Sequence, residues 1–180
     1  MILFKNVPKN EDNNLTNTVY KSKRSKGLEY MYQSVNEVTK EQIKVFKKML
    51  KELVNEDFDA PINENCIPLF RYTDGGVIKP HKDIDKTDEN ITFQRLVAIV
   101  VLTQQGQDFE GGRFYINPKA THSPDGKEVY DDFPKDRIYP SLNKGDLFIF
   151  DNRYFIHGVE ETQVKENQVG RLTCSFRTLN

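Results

Sequence analysis

Apolar residues recur at three- and four-residue spacing through Ile43, Phe46, Leu50, Leu53 and Val54, with Lys44, Lys47, Lys48 and Lys51 between them. That period is the stripe of an amphipathic helix with a wet, basic opposite face. Thr39 followed by Gln42 reads as a capping box, the Thr39 hydroxyl accepting from an otherwise unpaired first-turn amide. The helix is expected to end near Glu56, ahead of Pro61. One stripe needs a surface to cover, and a sheet is the natural one.

From Cys66 onward the period changes to that of strands. Short strands are expected around Pro68–Tyr72, Val77–Asp83, Phe93–Leu102, Gly112–Ile116, Asp146–Asp151, Phe155–Val159 and Gly170–Thr178. Turn signals separate them at Asp74-Gly75-Gly76, Gly111-Gly112, Asn143-Lys144-Gly145 and Glu166-Asn167. Asn117 to Pro140 is rich in Pro, Asp and Lys without a long apolar period, and a loop of that length is usually a lid or disordered. Many short strands after a helical start predict a mainly β, α+β fold: an antiparallel sandwich or barrel with N-terminal helices outside it. A chain of 180 residues is expected to form one domain, with 1–66 as helical support and 67–180 as the β core.

Composition narrows the functional classes. Lys and Arg number 26 against 27 Asp and Glu, a formal charge of −1, which argues against a nucleic-acid binder with a basic face. The run Lys21-Ser22-Lys23-Arg24-Ser25-Lys26 therefore reads as a solvated loop or edge strand. The longest apolar run, Leu96–Leu102, is far short of the ~20 residues of a membrane span. The opening Met1–Val7 lacks the apolar core of a signal peptide, so a cytoplasmic protein is expected. Cys66 and Cys174 have no metal-type spacing and read as small buried hydrophobes.

Of three histidines, one lies in Lys79-Pro80-His81-Lys82-Asp83 and another in Phe155-Ile156-His157-Gly158-Val159. Residues i and i+2 of a strand face one side, so His81 and Asp83 can present an imidazole and a carboxylate together. His157 from a neighbouring strand would complete two His and one carboxylate on one face of a metal, the donor set of non-haem Fe(II) oxygenases. His122, in the Pro-rich loop, reads as an ordinary loop residue. In Gly170–Phe176, alternation puts Arg171, Thr173 and Ser175 on one face and Leu172, Cys174 and Phe176 on the other. An inward Arg is costly unless paired, and its planar fork suits a carboxylate. Arg177 shares that parity and is the rival anchor, with Arg171 preferred because Arg177 lies near the C-terminus.

These blocks together resemble the Fe(II)- and 2-oxoglutarate-dependent dioxygenases, in their prolyl 4-hydroxylase-like branch. The resemblance runs from about Phe70 to Thr178: Tyr72–Gly76 and His81-Lys82-Asp83, the apolar strand Arg95–Leu102, the Phe109–Phe114 Gly-Gly turn, and Lys144–Leu147 through His157-Gly158-Val159 to Gly170-Arg171. It implies a double-stranded β-helix, a cupin-like jelly roll with N-terminal helices packed on one sheet. It assigns the iron to His81, Asp83 and His157, and the distal carboxylate of 2-oxoglutarate to Arg171. Tyr72 matches a tyrosine that hydrogen-bonds the co-substrate, Thr173 or Ser175 assists Arg171, and Arg95 resembles an arginine near the substrate. His157 and Arg171 stand fourteen positions apart, more than the family's usual spacing, so Glu160–Gln168 carries extra residues.

The reaction so implied is oxidative decarboxylation of 2-oxoglutarate to succinate and carbon dioxide, coupled through Fe(II) and dioxygen to hydroxylation of a C–H bond, with ascorbate as a candidate auxiliary cofactor. Related halogenases lack the carboxylate at the Asp83 position, so its presence favours hydroxylation. A prolyl or other amino-acid residue in a peptide or protein is the expected substrate, with a free amino acid or small metabolite as the alternative. Neither a membrane nor a nucleic acid is an expected partner. Asn117–Pro140, with Tyr115, Tyr130, Phe133 and Tyr139, and Tyr20–Met31 are the expected cleft walls. The competing class is a non-catalytic jelly-roll sensor that binds metal and 2-oxoglutarate without turnover.

Overall fold

The computed structural model describes residues 16–19, 25–34, 37–59, 66–86, 91–93, 95–123 and 129–178. Two strands, β1 (Thr16–Val19) and β2 (Ser25–Ser34), come before the helix α1 (Glu37–Val54). Strands β3 (Phe58–Asp59), β4 (Cys66–His81), β5 (Ile84–Lys86), β6 (Ile91–Phe93) and β7 (Leu96–Val101) follow. Next are β8 (Glu110–Gly111), β9 (Phe114–Asn117), β10 (Thr121–His122), β11 (Val129–Asp131), β12 (Leu147–Asp151), β13 (Ile156–Gln163) and β14 (Arg171–Thr178).

The main sheet is antiparallel and runs β1-β2-β4-β14-β7-β12. It curls because β4 belongs to both of its walls: Leu69–Tyr72 pair with β14, while Gly76–His81 pair with β13, which in turn pairs with β8 and β9. This is a jelly-roll arrangement, as expected. Asp74-Gly75-Gly76, read from the sequence as a turn between two strands, is instead a kink within one long strand, with Gly75 at φ +70°. A Cβ on Gly76 would lie 2.6 Å from the Thr73 carbonyl oxygen and 2.9 Å from that of Gly27, so the crossing of β2 over the kink requires glycine there.

Three expectations for the chain are corrected. Residues 16–34 were expected to belong to a helical region, but β1 and β2 are strands, and β2 lies along β4 from Ser25 to Ser34. Only one α-helix occurs among the described residues, not several. It starts at Glu37, two residues before Thr39, and stops at Val54 because Asn55 takes the left-handed conformation (φ 56°) and donates its amide to the Lys51 carbonyl at 2.7 Å. The expected turn-rich loop 117–140 also contains the β10–β11 pairing and a 3-10 turn at Pro134–Asp136. Residues 21–24 of the basic run and the Tyr20 end of the expected cleft wall lie outside the described residues.

Alternation along the strands builds two apolar layers. On the outer face, Leu69, Ala98, Val100, Leu172, Cys174 and Phe176 meet Phe46 and Leu50 of α1, with Ile43 and Val54 beside them. The Phe46 and Phe176 ring centroids are 5.1 Å apart. On the inner face Phe70, Tyr72, Val97, Phe114, Phe150 and Val159 line the barrel. Cys174 is a buried thiol whose pKa burial pushes up, in keeping with a hydrophobic role. Leu53, expected on the buried stripe, is 67% exposed, and Val45 and Met49 are exposed with it. Val54 takes the inward position where the helix ends.

Leu50 and Leu53 therefore separate packing from pattern. Leu50→Ala, at a site 1% exposed, is expected to lower unfolding free energy in urea by ~2–5 kcal/mol. Leu53→Ala is expected to change it by no more than about 0.5 kcal/mol. Equal losses would show that the helix docks on the sheet in another rotation.

Candidate metal and dicarboxylate site

The site forms where β4 and β13 run side by side. His157 is the direct cross-strand partner of His81. Asp83 follows two residues after His81, just past the end of β4. Donor atoms of His81, Asp83 and His157 lie within 4.8 Å of one another. His81 Nε2 is 3.5 Å from Asp83 Oδ1, and His157 Nε2 is 3.7 Å from Asp83 Oδ2. Three ligands ~2.1 Å from one ion at right angles would stand about 3 Å apart, close to these separations.

Tautomer and charge suit a cation. His81 Nδ1 lies 2.9 Å from the Lys79 carbonyl oxygen, which can only accept, so Nδ1 is the donor there and Nε2 is the ring nitrogen turned to the pocket. Burial and the charge of His81 push the His157 pKa down to about 3, so His157 is neutral at neutral pH. Its Nδ1 is buried without a hydrogen-bond partner of ordinary geometry among the described residues. Burial opposes ionisation of Asp83, but the Arg177 guanidinium leads the interactions that outweigh it and hold the carboxyl well below its usual range. The Phe150 and Phe114 ring centroids lie 4.8 and 5.9 Å from that of His157, an apolar wall that excludes water.

Arg171, Thr173 and Ser175 line the same pocket as the three metal-type side chains, as the alternation of β14 requires. Gly170 sits at φ +90°, and a Cβ there would meet the Tyr72 carbonyl oxygen at 2.4 Å, so a glycine must lead the chain into β14. Arg171 and Tyr72 are register partners, and the guanidinium carbon lies 4.8 Å from the Tyr72 ring centroid. Arg171 is 4% exposed, and no carboxylate pairs with it among the described residues. Burial lowers its pKa, while Tyr72, by charge and hydrogen bond, raises it. The same burial raises the Tyr72 pKa against the opposing pull of Arg171. A buried guanidinium without a carboxylate partner of its own among the described residues is chemically suited to an anion brought from outside.

Arg177 faces the pocket from the far end of β14, with NH2 3.4 Å from Asp83 Oδ1. The two arginines are thus divided: Arg177 has the metal-type carboxylate as partner, Arg171 has none. The longer His157–Arg171 interval is absorbed by β13, which runs on to Gln163, and by the turn after it, where Asp74 Oδ1 accepts from the Val164 amide.

Arg95 is not brought to this pocket. It is exposed and pairs with Glu56, just beyond α1. His122 also lies apart on β10, its Nδ1 2.6 Å from the Ser123 carbonyl oxygen. The described parts of the 117–140 segment are tied down by side-chain bonds. Asn117 donates to Asp132 and the Phe133 carbonyl, Arg137 pairs with Asp132 and stacks on Tyr115, and Tyr139 donates to Glu160 at 2.7 Å. Phe133 is exposed, and the Tyr130 side chain and residues 124–128 lie outside the described part of the chain. One residue had no mark in the sequence: Asn152, within an ordinary-looking Asp-Asn-Arg turn, hydrogen-bonds the Asp83 backbone.

The buried neutral histidine has a consequence for metal-free protein. In the unfolded chain His157 takes a proton near pH 6.5, whereas in the folded chain it does so only near 3. The unfolded state then binds more protons across that window, so stability falls as pH falls from about 6.5 toward 3. Thermal melts of chelator-treated protein are expected to show this slope, and His157→Gln to flatten it. An unchanged slope in the variant would refute the burial argument.

A family model described as the 2OG-Fe(II) oxygenase superfamily matches residues 67–176. No curated protein matches the chain. Among solved structures, a prolyl-4-hydroxylase from Pseudomonas putida is 16% identical, with a TM-score of 0.52 over 84% of this chain and 72% of that one. A viral collagen prolyl hydroxylase from Paramecium Bursaria Chlorella virus-1, in complex with 2-oxoglutarate, is 17% identical, with a TM-score of 0.51 over 87% and 81% of the two chains. HygX from Streptomyces hygroscopicus, with nickel and 2-oxoglutarate bound, is 12% identical, with a TM-score of 0.50 over 92% and 74%. At these identities the likeness shows the fold. No helix among the described residues is long and apolar enough to cross a membrane. The family match reaches from the start of β4 to the inner arginine strand and spans more than half of the 180 residues, so the chain belongs to the 2OG-Fe(II) oxygenase superfamily, whose members are 2-oxoglutarate-dependent oxygenases.

Proposed function

We infer that the protein hydroxylates a C–H bond of an amino-acid residue in a peptide, a prolyl residue first among them, using Fe(II), 2-oxoglutarate and dioxygen. The observation that carries the 2-oxoglutarate part is Arg171: a guanidinium 4% exposed, without a carboxylate partner among the described residues, in the pocket of His81, Asp83 and His157. The hydroxylation part rests on the intact Asp83, which fills the position that a halide would need, and the peptide and prolyl part on the jelly-roll likeness to two prolyl hydroxylases.

In this reading His81 Nε2, Asp83 and His157 Nε2 hold the iron. When bound, Fe(II) supplies the oxidising chemistry, 2-oxoglutarate and dioxygen being consumed with release of succinate and carbon dioxide. The chain's own residues place and shield. Arg171 neutralises the distal carboxylate of 2-oxoglutarate, and Tyr72, stacked on it, fixes the direction of its fork. Thr173 and Ser175, on the same strand face, offer hydroxyls along the co-substrate. Phe114 and Phe150 keep bulk water from the His157 side.

Anaerobic addition of Fe(II) and 2-oxoglutarate is expected to give a metal-to-ligand charge-transfer band that is absent from His81→Ala. Leaving a buried charge pair unformed costs ~2–5 kcal/mol, so Arg171→Met is expected to weaken 2-oxoglutarate at least about 30-fold with Fe(II) affinity unchanged. In air, succinate release is expected to rise with proline-containing peptides above that with free amino acids. A band that survives in His81→Ala sinks the metal assignment. Tight binding with no succinate for any substrate marks a sensor instead of an enzyme, and stimulation by free amino acids alone overturns the peptide reading.

A further inference from the structure

Asp83 has a supporting problem that His81 and His157 do not share. Both histidines lie inside strands, where the ladder holds their backbones. Asp83 comes after β4 has ended, so its amide and carbonyl have lost their strand partners, yet its carboxylate must stand between two imidazoles. We propose that Asn152 is a positioning residue for Asp83, its carboxamide replacing the missing strand partner and fixing the carboxylate for metal binding.

Asn152 is fully buried in the turn between β12 and β13. Its Oδ1 accepts from the Asp83 amide at 2.9 Å, and its Nδ2 donates to the Asp83 carbonyl at 2.8 Å. This reciprocal pair is the pattern of two antiparallel backbone residues, made by one side chain. Asparagine is suited to it because one planar group carries both a donor and an acceptor. Its own backbone is held in turn, the Asn152 amide donating to the Arg95 carbonyl at 2.8 Å. The residues next to this pair repeat the attachment: Lys82, also buried, donates its ammonium group to the Arg153 carbonyl.

The same turn leads directly into His157. The Tyr154 and Phe155 amides both return to the Asp151 carbonyl, each at 3.2 Å, before β13 begins. One turn therefore carries Asn152, which grips the backbone of the carboxylate residue, and delivers the second imidazole five positions later. Groups that hydrogen-bond a ligating imidazole or carboxylate typically change metal affinity 10–100-fold when removed, and Asn152 acts on the same carboxylate through the Asp83 backbone.

The inference rests on Asp83 being a metal ligand, and the test separates the two. Co(II) is titrated calorimetrically into the metal-free full chain, and its d–d absorption is recorded. Wild type is expected to bind and Asp83→Ala to lose binding; failure of wild type to bind overturns the metal reading and this inference with it. Given that binding, Asn152→Ala is expected to weaken Co(II) 10–100-fold and to alter the d–d band, because the carboxylate loses its direction. Leu50→Ala, destabilised at a distance, is expected to bind as wild type does. If Asn152→Ala does not fold, Asn152→Ser, whose hydroxyl cannot span both backbone groups, is read in the same way. Affinity within twofold of wild type and an unchanged band in the folded variant would overturn the assignment, as would an equal loss in Leu50→Ala.

Discussion

Antiparallel pairing between β4 and β13 sets His81 straight across from His157, and a slip of one residue would turn one imidazole away from the pocket. The rest of the site is arranged around that pair. Kinking of β4 at Gly75-Gly76 lets one strand carry Tyr72 beside β14 and His81 beside β13. Tyr72, at the end of the pocket suited to an anion, and His81, at the end suited to a cation, are thus nine residues apart on a single strand. Backbone geometry sets the distance between the two ends.

Charge within the pocket is unevenly shared. Two guanidiniums from β14 face one carboxylate, and only Arg177 is placed to neutralise it. Arg171 is left with an aromatic face and a hydroxyl, which soften its burial without cancelling its charge. The imbalance leaves one uncompensated positive charge at Arg171, so that end of the pocket favours an anionic group. The phenylalanines around His157 raise the strength of each of these interactions by keeping the local dielectric low.

The inner strand was legible because its two faces differ so sharply. Leu172, Cys174 and Phe176 can only belong to packing, and Arg171, Thr173 and Ser175 to a polar interior, so parity alone separates them. His81, Asp83 and His157 were legible for a similar reason: few residue types make that donor set. Ser25–Ser34 was not, since its ten residues mix Gly, Lys and Tyr with no clean alternation, and its strand character comes from lying along β4. Asp74-Gly75-Gly76 has turn chemistry, but the close approach of Gly27 and pairing on either side keep the strand going. The parity of Arg177 was readable while its partner was not, because Asp83 is ninety-four positions away and only the curled sheet brings them together. Asn152 carried no mark at all; its importance is created by where β4 happens to end.

The ion pair between Arg177 and Asp83 bears on how easily a cation can enter between the two imidazoles. A carboxylate buried beside His81 and His157 is costly on its own, and a resident guanidinium already compensates it. An incoming cation therefore competes with Arg177 for the same carboxylate, and swinging that guanidinium aside becomes part of the cost of filling the centre.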